Sequence, residues 1–168
     1  EVGAAYENKQ VDMKNKEHKS PEFLKLNPNG KIPVMVDGDT TLFESMAINF
    51  YLADKYKPEL LGSNHGERAL SSQWSFWASS ELQPPIIEVF IQKVFMPADK
   101  KDQNVIDTNM EKLPTLLKVL DDSLNGKTYL NGSAFSLADL NTYTVVSIAP
   151  HLGIDLTTYK NVDLWMKA

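Results

Sequence analysis

Apolar and polar positions follow two rhythms along this chain, and the change comes near residue 60. Before it, the apolar runs are short and punctuated by turn residues. Ser20-Pro21-Glu22 reads as a helix start, with serine as cap and proline at the first helical position. Phe23, Leu24 and Leu26 follow, and Asn27-Pro28-Asn29-Gly30 ends the segment. Tyr6 to Asp12 alternates loosely and predicts a strand. Ile32 to Val36 predicts a second, Asp37-Gly38 a hairpin turn, and Thr40 to Phe43 the returning strand. Ser45 to about Tyr56 predicts a helix with Ile48, Leu52 and Tyr56 on one face.

Lys57-Pro58-Glu59 and Gly62-Ser63-Asn64-His65-Gly66 interrupt the pattern and predict a linker. Beyond it the period is helical. Leu70, Trp74, Trp77 and Leu82 make one stripe, and Ile87, Phe90, Ile91 and Val94 a second. A third runs through Ile106, Met110, Leu113, Leu117, Leu120 and Leu124. Pro114 lies inside it and is expected to kink or break that helix. Ser136-Leu137-Ala138-Asp139 has the spacing of a capping box, with aspartate in place of the usual glutamate. It opens an apolar helix through Tyr143, Val146 and Ala149 that Pro150 and Gly153 close. The rhythms predict an α/β unit over residues 1–58 and an all-α unit over 66–168.

Composition narrows the chemistry more than the fold. The 168 residues include no cysteine, which removes disulfides, thiolate metal sites and a cysteine nucleophile. The three histidines, His18, His65 and His151, lack ligand spacing, so no metal is expected. A net charge of −5 argues against nucleic acid as a partner. No apolar run reaches the ~18 residues of a membrane span, and the first residues do not read as a signal peptide. No membrane association and a cytoplasmic location are the expectations.

Three places could carry chemistry. Proline in a strand cannot donate to the ladder. If the bond before Pro33 is cis, the N–H and C=O of Ile32 face outward and can pair with a short peptide; a trans proline on an edge strand is the common alternative. At Glu44-Ser45, a helix N-terminus with a serine hydroxyl suits a carboxylate, and Glu44 beside it suits an ammonium. The plain alternative is a serine cap with an acidic neighbour. His18, Lys19 and Lys31 could meet a second carboxylate, although each alone is an ordinary surface residue. In combination they describe a short acidic peptide held at both ends.

The runs Glu17-His18-Lys19-Ser20-Pro21-Glu22-Phe23-Leu24, Leu26-Asn27-Pro28-Asn29-Gly30-Lys31-Ile32-Pro33 and Phe43-Glu44-Ser45-Met46-Ala47-Ile48 closely resemble glutathione transferases, the phi class of plants especially. Lys127-Thr128-Tyr129-Leu130, Phe135 to Leu140 and Pro84-Pro85-Ile86 agree. The resemblance implies a thioredoxin-like first domain lacking its first strand, then an all-helical domain. It implies that His18, Lys19 and Lys31 approach the glycine carboxylate of glutathione, that Ile32, ahead of a cis Pro33, pairs with the cysteinyl residue, and that Glu44 and Ser45 hold the γ-glutamyl end. Ser136 and Asp139 match a buried capping box that serves folding.

The implied activity is conjugation of the glutathione thiol to hydrophobic electrophiles, with a glutathione peroxidase activity at the same site. Glutathione is a co-substrate and no cofactor is implied. Phe90, Phe95 and Met96 are candidates for the hydrophobic substrate, expected between the domains, and a homodimer is implied. The thiol-activating hydroxyl of phi enzymes has no counterpart here and is expected upstream of residue 1; the last family helices are expected to be missing too. The alternative is a non-catalytic module of the same fold, a ligand carrier or a translation-factor-type domain. Retention of Lys31, Glu44 and Ser45 favours the enzyme.

Overall fold

Local signals assemble the first of two units, residues 1–60 and 61–168, into which the chain divides. The computed structural model describes residues 2–132 and 134–168; Glu1, where the first expected domain begins, and Ser133 lie outside the described residues. Ser20 caps helix α1 (Pro21–Leu26), its hydroxyl accepting the N–H of Phe23 at 3.2 Å. Strands β1 (Val34–Asp37) and β2 (Thr40–Phe43) pair antiparallel, in register from Val34↔Phe43 to Asp37↔Thr40. The two-residue turn between them needs a positive φ, and Gly38 supplies 59°. Helix α2 (Ser45–Tyr56) has the expected bounds. Its buried apolar positions are Ile48 and Ala53, whereas Tyr56 is exposed and Leu52 only half-buried.

The expected strand at Tyr6–Asp12 does not form. These residues are irregular and largely exposed, and among the described residues the sheet contains only β1 and β2. Alternation alone cannot hold a strand, because its backbone groups need a ladder partner. Asp12 instead anchors a turn, accepting the N–H and Nδ2 of Asn15 at 2.9 and 2.7 Å.

The second unit begins with a nearly unbroken helical path. Helix α3 (His65–Trp77), capped by Asn64, passes through a wide turn at Ala78–Leu82 into α4 (Gln83–Phe90), and a second wide turn follows at Ile91–Phe95. Pro84 and Pro85 lack N–H donors, and just ahead of them the ladder re-phases: Gln83 donates to the carbonyl of Ala78, five residues back. Each such turn holds an extra residue and rotates the apolar face. The second predicted stripe is therefore corrected. Leu82, Ile86 and Val89 are fully buried, whereas Ile87 and Phe90 are half-buried and Ile91 and Val94 exposed.

Helix α5 (Gln103–Ser123) continues past Pro114, so the expected break does not occur. Pro114 is on the exposed side, while Ile106, Leu113, Leu117 and Leu120 are buried. A proline inside a helix costs about 3 kcal/mol. Burying one leucine contributes roughly 1.5–3 kcal/mol, so the stripe outweighs the lost bond. Helix α6 (Leu137–Val146) starts at the capping box but buries Leu137, Ala138, Val145 and Val146, leaving Tyr143 exposed. Helix α7 (Lys160–Lys167) has no side-chain cap of its own, and Asp121 at the end of α5 provides one. Its Oδ1 accepts the N–H groups of Asn161 and Val162 at 2.7 and 3.1 Å.

Candidate functional site

The hairpin register decides which of the predicted residues meet. Because Val34 pairs with Phe43, the chain enters β1 from Ile32-Pro33 and leaves β2 into Glu44-Ser45 at the same end of the ladder. Two segments a dozen residues apart in sequence thus flank one another. The Ile32–Pro33 bond is cis, as expected. Ile32 is 50% exposed and lies outside the ladder, which starts at Val34.

Glu44 has φ 72° and ψ 114°, in the region that favours glycine, and it sits at the cap position of α2 without capping it. Such a backbone costs on the order of 1–3 kcal/mol and recurs where a ligand is clamped. The first intrahelical bond runs from Ile48 N–H to the Glu44 carbonyl at 3.0 Å. The N–H groups of Ser45, Met46 and Ala47 therefore stand ahead of the ladder, at the positive end of a twelve-residue helix, beside the exposed Ser45 hydroxyl. A carboxylate there would meet oriented donors, and an ammonium beside it would meet Glu44.

The other flank is built on α1 and the turn before it. Lys19 lays its ammonium on the carbonyls of Asn29 and Gly30, at 3.1 and 2.9 Å. Gly30 is required here: its φ is 58°, and a Cβ would lie 2.7 Å from Lys19 Nζ and 2.9 Å from the His18 carbonyl. Lys19 thus shapes the loop that delivers Lys31 and Ile32, a role its charge did not announce. Lys31 is exposed, and His18 is half-buried with its Nδ1 lacking a hydrogen-bond partner. Far from this end, Asp37 pins the hairpin to α2 by accepting from Tyr51 Oη at 3.0 Å and from Lys55 Nζ. The lysine, then the tyrosine, hold the Asp37 carboxyl below its usual range.

In the second unit, Phe90 and Phe95 stack edge to face with centroids 5.5 Å apart. Phe95 is 70% exposed and Val94 and Ile91 are exposed beside it, while Met96 is half-buried. Large exposed apolar groups in one turn are out of place in a core and suit a hydrophobic ligand. Asp139 belongs to the core. It is 1% exposed, its Oδ1 accepts Leu130 N–H and Trp165 Nε1–H at 2.8 and 2.9 Å, and its Oδ2 accepts the N–H and hydroxyl of Ser136 at 3.0 and 2.9 Å. Its partner Trp165 was not visible in the sequence. Among the described residues no three acidic or imidazole side chains gather as a metal site, and no helix is long and apolar enough to cross a membrane.

Comparison with known proteins gives this geometry its class. The glutathione S-transferase N-terminal domain matches residues 1–54, and the C-terminal domain of the same proteins matches residues 82–168. The chain belongs to the glutathione S-transferase family, with a small thioredoxin-like domain followed by a helical one. Within it, the similarity is to plant phi-class enzymes. Glutathione S-transferase 4 of Zea mays is 41% identical over 87% of this chain and 67% of its own length. Glutathione S-transferase F10 of Arabidopsis thaliana is 40% identical over 83% and 67%. The solved structure of maize glutathione S-transferase I, in complex with an atrazine glutathione conjugate, superposes with a TM-score of 0.86 at 37% identity, covering 99% of this chain and 80% of that one.

Proposed function

We propose that this chain binds glutathione along the ridge formed by His18, Lys19, Lys31, Ile32, Glu44 and Ser45, as a glutathione transferase whose second substrate is a hydrophobic electrophile. The carrying observation is the juxtaposition of Ile32-Pro33 with the uncapped start of α2. The γ-glutamyl carboxylate takes the Ser45 hydroxyl and the free helix N–H groups, and its ammonium takes Glu44. The cysteinyl residue pairs with the backbone of Ile32 as an added strand. The glycine carboxylate faces His18 and Lys31, with Lys19 holding the loop beneath.

In the reaction the glutathione sulfur, after losing its proton to solvent, forms a bond to the electrophilic carbon. The leaving group departs with its electron pair. Binding orients the sulfur and removes the entropy of encounter. Phe90, Phe95 and Met96 supply apolar surface for the second substrate. Relatives are transferases, one of them solved with a glutathione conjugate, which favours an enzyme over a non-catalytic module. A cytoplasmic homodimer acting in detoxification completes the proposal.

The test is calorimetric titration with glutathione. Ser45→Ala is expected to weaken binding by about 1–3 kcal/mol, the scale of a charge-assisted hydrogen bond. Unchanged affinity in that variant removes Ser45 from the site.

A further inference from the structure

Asn27 carries neither charge nor exposed surface, yet it governs the loop that presents Ile32. It is 2% exposed, and both ends of its carboxamide are engaged. Oδ1 accepts the N–H of Asn29 at 3.0 Å, and Nδ2 donates to the carbonyl of Lys31 at 2.7 Å. A backbone N–H can only donate and a carbonyl can only accept, so the carboxamide cannot be turned over without losing both bonds. Its backbone is used as well. The N–H closes α1 on the Phe23 carbonyl at 3.0 Å, and the carbonyl takes the Gly30 N–H at 2.8 Å. One buried residue ties the end of α1 to three points of the loop.

The consequence falls on the next peptide plane. Among the described residues only Ile32–Pro33 is cis, so the Lys31–Ile32 bond is trans. In a trans peptide the carbonyl and the following N–H point in opposite directions from one rigid plane. The buried Asn27 draws the Lys31 oxygen inward, and the same plane must then turn the Ile32 N–H away from Asn27, on a residue that is half exposed. Lys19, bound to the carbonyls of Asn29 and Gly30, holds the preceding two planes. Without the Asn27 bond the Lys31–Ile32 plane could rotate about its flanking torsions, and the N–H would lose its fixed direction.

We propose that Asn27 is a positioning residue for glutathione: by holding the Lys31 carbonyl it aims the Ile32 N–H at the cysteinyl carbonyl of the bound tripeptide. This rests on the strand-like pairing of Ile32 proposed above. Asn27 touches no ligand atom. Its contribution is pre-organisation, which lowers the cost of ordering the loop when the peptide binds.

The experiment compares two ligands on two proteins by calorimetry, using the whole chain. The ligands are glutathione and an analogue in which an (E)-alkene replaces the cysteinyl–glycyl amide, removing the carbonyl that Ile32 would bond. The variant is Asn27→Asp, which keeps an oxygen for the Asn29 N–H but sets a second oxygen against the Lys31 carbonyl. Wild type is expected to prefer glutathione by about tenfold, the scale of one good hydrogen bond. The variant is expected to bind glutathione about tenfold more weakly and to discriminate less than about twofold.

A purely structural role would weaken both ligands alike and leave the ratio unchanged. Full discrimination by Asn27→Asp therefore overturns the role of Asn27 while leaving the Ile32 reading intact. A wild type that does not discriminate overturns the Ile32 reading itself, and this proposal with it. If the variant does not fold, the wild-type protein decides by nuclear magnetic resonance. A scalar coupling across the hydrogen bond from Asn27 Nδ2 to the Lys31 carbonyl is expected with and without glutathione. The Ile32 amide proton is expected to move downfield with glutathione and not with the analogue. Absence of either signal overturns the proposal.

Discussion

The two units of this chain are stabilised by different means. In residues 61–168, long stripes of leucine, isoleucine and valine close into a core, and Asp139 inside it is a hydrogen-bonded hub. In residues 2–60, the described buried apolar side chains are only Ile48, Ala53 and Leu60, and shape is set by polar clamps: Asn27, Lys19 and Asp37. The helical unit spends its sequence on burial. The α/β unit spends its sequence on presenting backbone and charge at one end of a hairpin. Substitutions in the helical unit should therefore be read in unfolding, and substitutions at the hairpin end in glutathione binding.

The sharpest way to break that contrast is at Asp139. Replacing it with alanine strips acceptors from Ser136, Leu130 and the Trp165 indole inside the core. Each buried donor left without a partner costs about 1–3 kcal/mol, so Asp139→Ala is expected to destabilise by about 3–5 kcal/mol in chemical denaturation. Affinity for glutathione in the folded fraction should stay the same. Intact stability with collapsed binding would place Asp139 in the site.

A second pair of variants tests the rotation imposed by the wide turns. Ile86 is fully buried, and Ile86→Ala should cost about 2–5 kcal/mol. Phe95 is largely exposed, and Phe95→Ala should change stability by about 0.5 kcal/mol or less. It should instead raise the KM for an apolar electrophile. If Phe95→Ala proved the more destabilising of the two, the buried face of α4 would be wrongly placed.

The smallest effect concerns the clamp at Asp37. Its carboxyl is lowered from 3.8 by the Lys55 ammonium first and the Tyr51 hydroxyl second. A depressed carboxylate contributes stability that is present above its unfolded value and lost as pH falls through its lower folded value. Lys55 is raised, chiefly by Asp37, so its contribution is present below its unfolded value of 10.5 and lost as pH rises through the folded one. Between these limits the clamp is complete. Thermal unfolding of Asp37→Asn should lose part of the acid-side decline that wild type shows below about pH 4. Lys55 is exposed and Asp37 only half-buried, so the change should be small. An identical pH profile in the variant would mean that Asp37 does not couple to unfolding.

What the sequence determined by itself was whatever depends on a few neighbouring residues. The Ser20 cap, the Asp37-Gly38 hairpin and the Ser136/Asp139 box each arise within one or two turns of chain, where hydrogen-bond geometry and backbone preference decide, and the bounds of α2 and the α5 stripe follow from short spacings repeated along one helix. The candidate site residues were legible as patterns for the same reason: a proline next to a strand and an acidic-hydroxyl pair before a helix are local. Tertiary structure decided the rest. Tyr6–Asp12 alternates but has no partner in the described sheet, and Pro114 is tolerated because the leucines around it are buried. The face of α4 is set by where Pro84 and Pro85 force the ladder to re-phase. Asp121 caps a helix forty residues away, and Trp165 finds Asp139 across twenty-six. Asn27 and Lys19 shape their loop through bonds to backbone carbonyls, which every residue carries and no side-chain pattern marks. The long-range contacts among these form only once packing brings their partners together, so local sequence patterns cannot specify them.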